Sequence, residues 1–570
     1  MSTLSATSHD EREAKLTAEP GWALPSLAGT AGIERVEEGA RQVLDAVYFD
    51  TPDLRLIRSG ITLRFRRDRN GANGSGAGVA PPAGGGPEHA WTLKLPAGGS
   101  GDGPSPSLAR RELVWPGDPD SPPAEAISLI RATARRAPLR PVARLRTDRR
   151  RFRLFGPPGT TDRSIAEIDD DWVTLEEVAG RAPAPEGLAF REVEIELAPE
   201  TPEGALEAIV DRLESAGATG SVPVPKVVRA LGPAALEPPP FRVDALQEAS
   251  SLGELVAGVI GEAVTTVLRF DPALRLGGDP ENLHKVRVAL RRLRSLLRTF
   301  RPVLDDGWLA EVEPNLRWIG RMLGAVRDAD VLAAALAAEV GTLGPADAPA
   351  GHDLVGRLAA EREEANRSLL AALDSDGYVE LLDRLVLASA DPPLARPRSA
   401  EVSAAEVLPA LVARRWKRVR RQVERLGDDP PDEWLHEARK RAKHLRYAAE
   451  AAAPVVGSPA AKLAKVAEGL QDVLGEQHDA VVLTGYLRAA VAQAEPAQAL
   501  VAGELVARSV AVAERCRHTW RAAWRKVAKK KRRAWLKGAS LKGVTAKGVT
   551  AKGDALTGAT LTGASLSPSG

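Results

Sequence analysis

Residues 284–298 read HKVRVALRRLRSLLR, and residues 436–447 read HEARKRAKHLRY. In the first stretch His284, Arg287, Arg291 and Arg294 step by three, four and three, and Arg298 adds four more. In the second, His436, Arg439, Lys443 and Arg446 repeat the three, four, three spacing. On an α-helix such steps put every one of these side chains on one face. The spacing therefore predicts two helices, each with a histidine followed by a ladder of positive charge. From His284 to Arg298 the ladder is about 20 Å long. Like charges at i,i+4 repel by a few tenths of a kcal/mol per pair. A single basic face is ordinarily just solvated, but solvation does not require the same register 152 positions later in divergent sequence. The repeat points to an anion site built from both helices.

Working outward, Val286, Leu290, Leu293, Leu297 and Phe300 form an apolar stripe opposite the first ladder. Downstream, LRWIGRMLGAVRDADVL (316–332) matches LAKVAEGLQDVLGEQHDAVVL (463–483): Leu323-Gly324 aligns with Leu474-Gly475 and Asp328-Ala329 with Asp479-Ala480. The helical part is thus one unit duplicated, and two helical bundles related by an approximate twofold are expected. His478 aligns with Arg327, so it reads as structural or as a secondary anion contact. A metal reading of His284 and His436 is weakened by the lack of a second ligand at close spacing, apart from Glu437. Further basic residues at 414–421 and 526–533 are solvated charge or an extension of the polyanion surface. Aromatic residues near the ladders are few, which disfavours base stacking and a nucleic-acid role.

The chain has 570 residues, with 78 Lys plus Arg against 76 Asp plus Glu. At a net charge of +2, any electropositive site comes from local sorting and not from an overall basic excess. The single cysteine, Cys516, excludes an internal disulfide framework and a cysteine metal site. The opening MSTLSATSHDEREAK lacks a signal-peptide pattern, and no apolar run nears the length of a bilayer span. The expectation is a cytoplasmic protein with no membrane partner, and the Ala/Gly/Arg/Pro bias suggests a GC-rich bacterium. Pro238-Pro239-Pro240 separates strand-like from helix-like sequence, and a second break falls at 391–399. The expected divisions are 8–230, a linker at 231–245, a helical domain at 246–530 (halves about 246–390 and 400–530), and a five-residue-repeat tail at 537–570, read as disordered.

Before the break, period-two patterning predicts strands. Glu11, Glu13 and Lys15 share a face, as do Arg64 and Arg66, Thr92 and Lys94, and Arg110 and Glu112. Arg144 pairs with Arg146, Glu167 with Asp169 and Asp171, and Glu192 with Glu194 and Glu196. An ordinary antiparallel sheet with solvated charges would give this. So would a closed barrel whose lumen is charged, with carboxylates to hold a hard divalent cation and Arg and Lys to hold phosphate oxygens.

Glu11-x-Glu13-x-Lys15, Arg64-x-Arg66, Lys94 and Glu192-x-Glu194-x-Glu196 resemble the CYTH domain, the triphosphate tunnel metalloenzymes, over about 8–230. The resemblance implies an α+β architecture whose N-terminal part is an eight-stranded antiparallel tunnel barrel with flanking helices. It implies Mg2+ or Mn2+ held by Glu11, Glu13, Glu194 and Glu196, helped by Glu167 or Asp171. Lys15, Arg64, Arg66, Lys94, Arg110, Arg144 and Arg146 would grip the polyanion. Catalysis would fall to Glu11, Glu13, Lys15, Glu194 and Glu196. Two departures stand out. A Gly/Pro-rich insertion occupies roughly 70–88, and the family's late Ser-Lys-Tyr element reads Pro225-Lys226-Val227, which leaves Lys226 as a further substrate contact. A P-loop is absent.

The duplicated helical part resembles the CHAD domain over about 246–530, on His284, Arg287, Arg291 and Arg294 and on His436, Arg439, Lys443 and Arg446. That resemblance implies an all-α domain binding inorganic polyphosphate, with Arg298 extending the first ladder, and association with polyphosphate granules. Together the two imply a metal-dependent inorganic triphosphatase recruited to polymer. A granule-associated binding protein, an adenylate cyclase and a thiamine triphosphatase remain as alternatives, because the same tunnel serves each chemistry.

Overall fold

A computed structural model describes residues 7–10, 13–69, 89–96, 110–157, 164–178, 188–198, 201–220, 224–537 and 541. Glu11, the insertion at 70–88 and almost all of the tail lie outside the described residues.

The N-terminal part is an antiparallel sheet of eleven strands: β1 (Thr7–Asp10), β2 (Glu13–Thr17), β3 (Arg35–Glu38), β4 (Gln42–Asp50), β5 (Thr62–Asp68), β6 (His89–Pro96), β7 (Arg110–Pro116), β8 (Arg140–Phe155), β9 (Ala166–Val178), β10 (Ala189–Leu197) and β11 (Thr219–Gly220). Their order is β1-β7-β6-β5-β4-β8-β9-β10-β2-β11, with β3 on β8. The expected count of eight holds only approximately, because short strands are added. The ladder does not close into a barrel. Its two flanks nevertheless meet on one stretch of chain, since β1 pairs with β7 and β2, two residues further on, pairs with β10.

The outer face is apolar. Trp91, Leu93, Leu113 and Trp115 pack against α1 (Arg55–Arg58) and α2 (Ala124–Ala134). Leu16, Ile168, Val193 and Ile195 pack against α3 (Ala205–Glu214). One end of the inner face is apolar too: Tyr48, Leu145, Val173 and Leu175 pack with Val227 and Val228 of α4 (Lys226–Leu231). The charged part of the inner face therefore has a greasy floor.

After α5 (Pro233–Leu236) the chain is helical: α6 (Leu252–Leu276), α7 (Pro280–Phe300), α8 (Asp306–Val340), α9 (Ala348–Leu373), α10 (Asp376–Ala390), α11 (Ala404–Val423), α12 (Asp432–Val456), α13 (Ser458–Val491) and α14 (Pro496–Ala528). Ser251 caps α6 in a capping box with Glu254, and Asp279 and Asp305 cap α7 and α8. The stripe Val286, Leu290, Leu293, Leu297 and Phe300 is buried as expected. The two halves meet in a reciprocal pairing: Leu252 N–H donates to Val402 O at 2.7 Å and Ala404 N–H to Ser250 O at 3.0 Å. Ser251 and Ser403 form the bridge, at the same separation in sequence as His284 and His436. This is the signature of an approximate twofold. No described helix is long and apolar enough to cross a membrane.

The two parts are fastened by ion pairs. Arg131 on α2 lies 2.9 Å from Asp376, and Arg135 lies 2.7 Å from Asp383 of α10.

Candidate functional site

The inner face of the sheet is a grid. Across β2, β10, β9 and β8 the register aligns Glu13, Glu196, Glu167 and Arg153 in one row. The next row is Lys15, Glu194, Asp169 and Arg151, and the third is Thr17, Glu192, Asp171 and Arg149. The opposite wall, β5 to β7, carries Lys94 beside Glu112 at 2.7 Å, with Arg64 and Arg66 two and four positions along β5 from Thr62, the partner of Lys94. The walls face one another across the cavity. Burial raises the Glu196 carboxyl; Lys94 lowers it, and Glu167, Glu112 and Asp169 raise it further. Lys94 on β6 is five ladders away from Glu196 on β10 along the sheet, with β5, β4, β8 and β9 between them, so only the curl of the sheet brings them together.

The third row is the most buried and is neutralised. Arg149 binds Asp171 bidentately at 2.8 and 2.7 Å. Lys226 enters from α4 and lies 2.9 Å from Asp171, 3.2 Å from Glu192 and 2.8 Å from Glu194. Burial alone would raise the Glu194 carboxyl, but Lys15, Lys226 and Arg149 outweigh it and hold it well below the usual range. Glu192 moves the other way: burial dominates, and the Glu194 charge adds to it. Lys15 is ion-paired with Glu194 and lies 3.5 Å from Glu13. On the opposite wall the balance shifts. Arg66 has no carboxylate within ion-pair distance among the described residues, and burial, with Arg64 and Arg149 nearby, pulls it down to about 10.

The structure thus brings together Glu13, Lys15, Arg64, Arg66, Lys94, Glu167, Asp171, Glu194, Glu196 and Lys226. Arg110 enters β7 opposite Pro96, and its side chain lies outside the described residues. Arg144 and Arg146 point the other way: both are exposed, and Arg144 lies 3.7 Å from Glu177. Their strand is apolar on alternate faces at its two ends. Leu145 faces the greasy floor inside, whereas Phe152 and Leu154 pack outside against the α3 layer. The expected phosphate contacts Arg144 and Arg146 therefore lie on the face opposite the charged one. The inward arginines are Arg149, Arg151 and Arg153, the lining residues that sequence reading passed over; alternation places Glu112 and Glu192 on charged strand faces without giving them a role. The three-residue run Arg149-Arg150-Arg151 was the available signal, its outer members matching the spacing of Asp169 and Asp171.

The donor chemistry of the first row, with the carboxylates of Glu13, Glu196 and Glu167 directly adjacent, is that of a hard divalent cation site, and cations border it: Lys15 lies 3.5 Å from Glu13, and Arg151 and Arg153 lie 3.2 and 3.4 Å from Glu167. Glu194 is committed to Lys15 and Lys226, and Asp171 to Arg149 and Lys226, so these two serve the cations of the floor. Among the described residues no three acidic or histidine side chains already converge at metal-binding distance, and Glu11 is outside them.

In the helical domain α7 and α12 cross, with Ser295 Oγ 2.6 Å from His444 Nδ1 and Arg291 Nε donating to Tyr447 Oη at 3.2 Å. His284, Arg287, Arg291, His436, Arg439 and Lys443 line one cavity of about 620 Å3. Arg327 and His478, at matching places in α8 and α13, line it as well. Each half pairs one ladder arginine with the equivalent aspartate: Arg287 with Asp328 at 2.7 Å and Arg439 with Asp479 at 3.9 Å. Burial, with Arg291, Arg439, Arg287 and Arg294 around it, pulls Lys443 down to about 7. Burial and His478, whose ring centroid is 4.0 Å away, pull His436 down to about 4. Three ladder residues lie elsewhere. Arg446 is tied to Glu450 and Glu468 at 2.6 and 3.0 Å. Arg294 lies against Gly320. Arg298 lines a different cavity.

Comparison with known proteins agrees with this geometry. A family model of the CYTH domain matches residues 11–230, and one of the CHAD domain matches 258–488. An uncharacterized protein found in two strains of Mycobacterium tuberculosis is 32% identical over 560 residues, covering 92% of this chain and 98% of its own length. Among solved structures, PptA from Streptomyces chartreusis is 25% identical with a TM-score of 0.40, covering 48% of this chain and all of its own. The CHAD domain from the plant Ricinus communis is 25% identical with a TM-score of 0.40, covering 53% of this chain and 96% of its own.

Proposed function

Because this chain belongs to the CYTH family over its strand-built part and to the CHAD family over its helical part, we propose that it hydrolyses inorganic triphosphate or short polyphosphate in the tunnel and binds polyphosphate on the helical domain. CYTH tunnel domains are often enzymes acting on phosphoanhydrides, and they generally use divalent metal ions. One observation supports the reading: the wall that carries Arg64, Arg66 and Lys94 comes within electrostatic reach of the row of carboxylates on β10, Lys94 acting on Glu196 and Arg64 on Glu194.

Glu13, Glu167 and Glu196, with Glu11, would hold Mg2+ or Mn2+, which supplies charge neutralisation to phosphate oxygens when bound. The chain's own residues do the rest. Arg64 and Arg66 offer forked donors that stay charged at cellular pH, and Lys94 adds a point charge. Lys15 keeps Glu194 ionised between the substrate and the floor. The greasy end behind the third row excludes water and limits how far a phosphate chain can enter. Water oxygen bonds to the terminal phosphorus as the bridging P–O bond breaks, and the shortened phosphate leaves with its charge on the former bridging oxygen.

Polyphosphate binding rests on the meeting of both ladders in one cavity. Placement in the cytoplasm at polyphosphate granules is part of the same proposal. The deciding experiment is phosphate release from triphosphate by the full chain with Mg2+ or Mn2+, beside Glu13→Gln and Glu196→Gln. Metal-dependent release lost in both variants is expected. No metal-dependent release from triphosphate, ATP or thiamine triphosphate would leave only the binding reading.

A further inference from the structure

We propose that the helical domain carries a second anion site, distinct from the ladder cavity, that takes a compact anion bearing several closely spaced phosphate groups. It is a pocket of about 460 Å3 lined by His444 and six arginines, Arg298, Arg415, Arg418, Arg421, Arg425 and Arg441. On α7, Ser295 falls between Arg291, which lines the ladder cavity, and Arg298, which lines this one. The Ser295–His444 contact therefore separates the two.

Every lining residue is basic. Among the described residues none of the six arginines has a carboxylate within ion-pair distance. Elsewhere in this domain arginines find acids readily: Arg517 reaches Asp429 at 3.1 Å, and Arg420, on the same helix as Arg418, reaches Glu424 at 3.3 Å. Arg415 makes the point most sharply. It is 6% exposed, its Nε donates to Thr299 Oγ1 at 3.0 Å, and the charges that act on it are the cations Arg418, Arg298 and Arg414, with Asp306 and Glu313 lining an adjoining cavity beyond ion-pair distance. Burial, then Arg418, Arg298 and Arg414, pull it down to about 10. A buried cation without a counter-ion is unfavourable, and an anion entering the pocket supplies the missing charge. Arginine forks match paired phosphate oxygens. His444 stays a neutral imidazole, pulled to about 3 by burial and by Arg415 and Arg298. Enclosure by one helix crossing and α11 suits a compact body over an extended polymer.

This site is independent of the tunnel's chemistry and of polymer binding by the ladders. Its test is calorimetry on the full chain in EDTA, with myo-inositol hexakisphosphate as the compact probe and long-chain polyphosphate as the extended one. The exposed pair Arg418→Ala/Arg421→Ala is expected to weaken the compact probe about tenfold or more, while Arg287→Ala/Arg439→Ala leaves it in place. Unchanged compact binding in the first pair overturns the proposal. So does a loss confined to the long polymer, which would make these arginines an extension of the ladders. Removing mutually repelling charges is expected to keep or raise the melting temperature. If it falls instead, Arg418→Lys/Arg421→Lys keeps the charge and removes the forks: weakened compact binding in that variant supports the site, and unchanged binding overturns it.

Discussion

Lys226 Nζ lies 2.9 Å from the Asp171 carboxylate, a group with no solvent exposure. The ion pair fastens α4 to β9 and sets the charged floor of the tunnel. Replacing Lys226 with Met leaves Asp171 and Glu192 buried with one cation fewer. The expected loss is about 3–5 kcal/mol of stability, read as a lower urea midpoint for the N-terminal transition. An unchanged midpoint would mean the floor is not held by this contact.

The same floor sets a dependence on acid. Glu194 and Asp171 have folded pKa values below their unfolded ones. Their contribution is present above the unfolded carboxylate range, near pH 4, and is lost as pH falls through the folded values. Glu192 is raised, so its charge opposes folding at neutral pH, and that opposition is relieved as pH falls. Glu194→Gln is expected to lower the melting temperature at pH 7 more than Glu192→Gln does, with the gap narrowing toward pH 3. A gap that widens on acidification would contradict the assignment.

Arg66 has Arg64, Arg149 and Arg151 for neighbours, opposed by Glu112, and no ion-pair partner among the described residues. Arg66→Met is expected to leave folding stability unchanged or higher, and to raise KM for triphosphate, with a loss in kcat/KM of about tenfold or ~1.4 kcal/mol. A stability loss without a kinetic effect would make Arg66 a structural residue.

Lys443 is charged below about pH 7 and neutral above it in the free protein. An anion in the cavity favours the charged form, so binding at pH 8 takes up a proton. Polyphosphate is therefore expected to bind more tightly at pH 6 than at pH 8, and calorimetry in buffers of different ionisation heat detects the uptake. Lys443→Arg should flatten the profile. An equally steep profile in that variant assigns the titration to another group.

The paired ladder arginines Arg287 and Arg439 are expected to act as phosphate contacts. In Arg287→Ala/Arg439→Ala, polyphosphate affinity falls, and the slope of log affinity against log salt becomes shallower by about 1 per arginine. Equal affinity and slope would remove both from the binding surface.

Much of this was legible beforehand because charge and period are local properties. The three-four-three steps from His284 and His436 fixed two basic helix faces, and alternation fixed Glu13 beside Lys15 and Glu194 beside Glu196. Arg144 and Arg146 show where alternation fails: one strand buries opposite faces at its two ends, and no window of sequence reveals where the change occurs. Arg446 shows another limit. It keeps the ladder spacing, yet Glu468 from the next helix takes it away from the cavity.

By itself the sequence determined the two families, the strand and helix halves, the duplicated helical unit and the sign of charge on each face, since these follow from spacing along one chain. The tertiary structure decided which charges meet. The curl of the sheet set Lys94 across from Glu196, α4 carried Lys226 beneath Asp171, and the crossing of α7 with α12 split one arginine ladder between two cavities. Those pairings depend on the direction in which distant segments pack, and Coulomb interactions, which fall with distance and weaken with solvent exposure, take their strength from that packing alone.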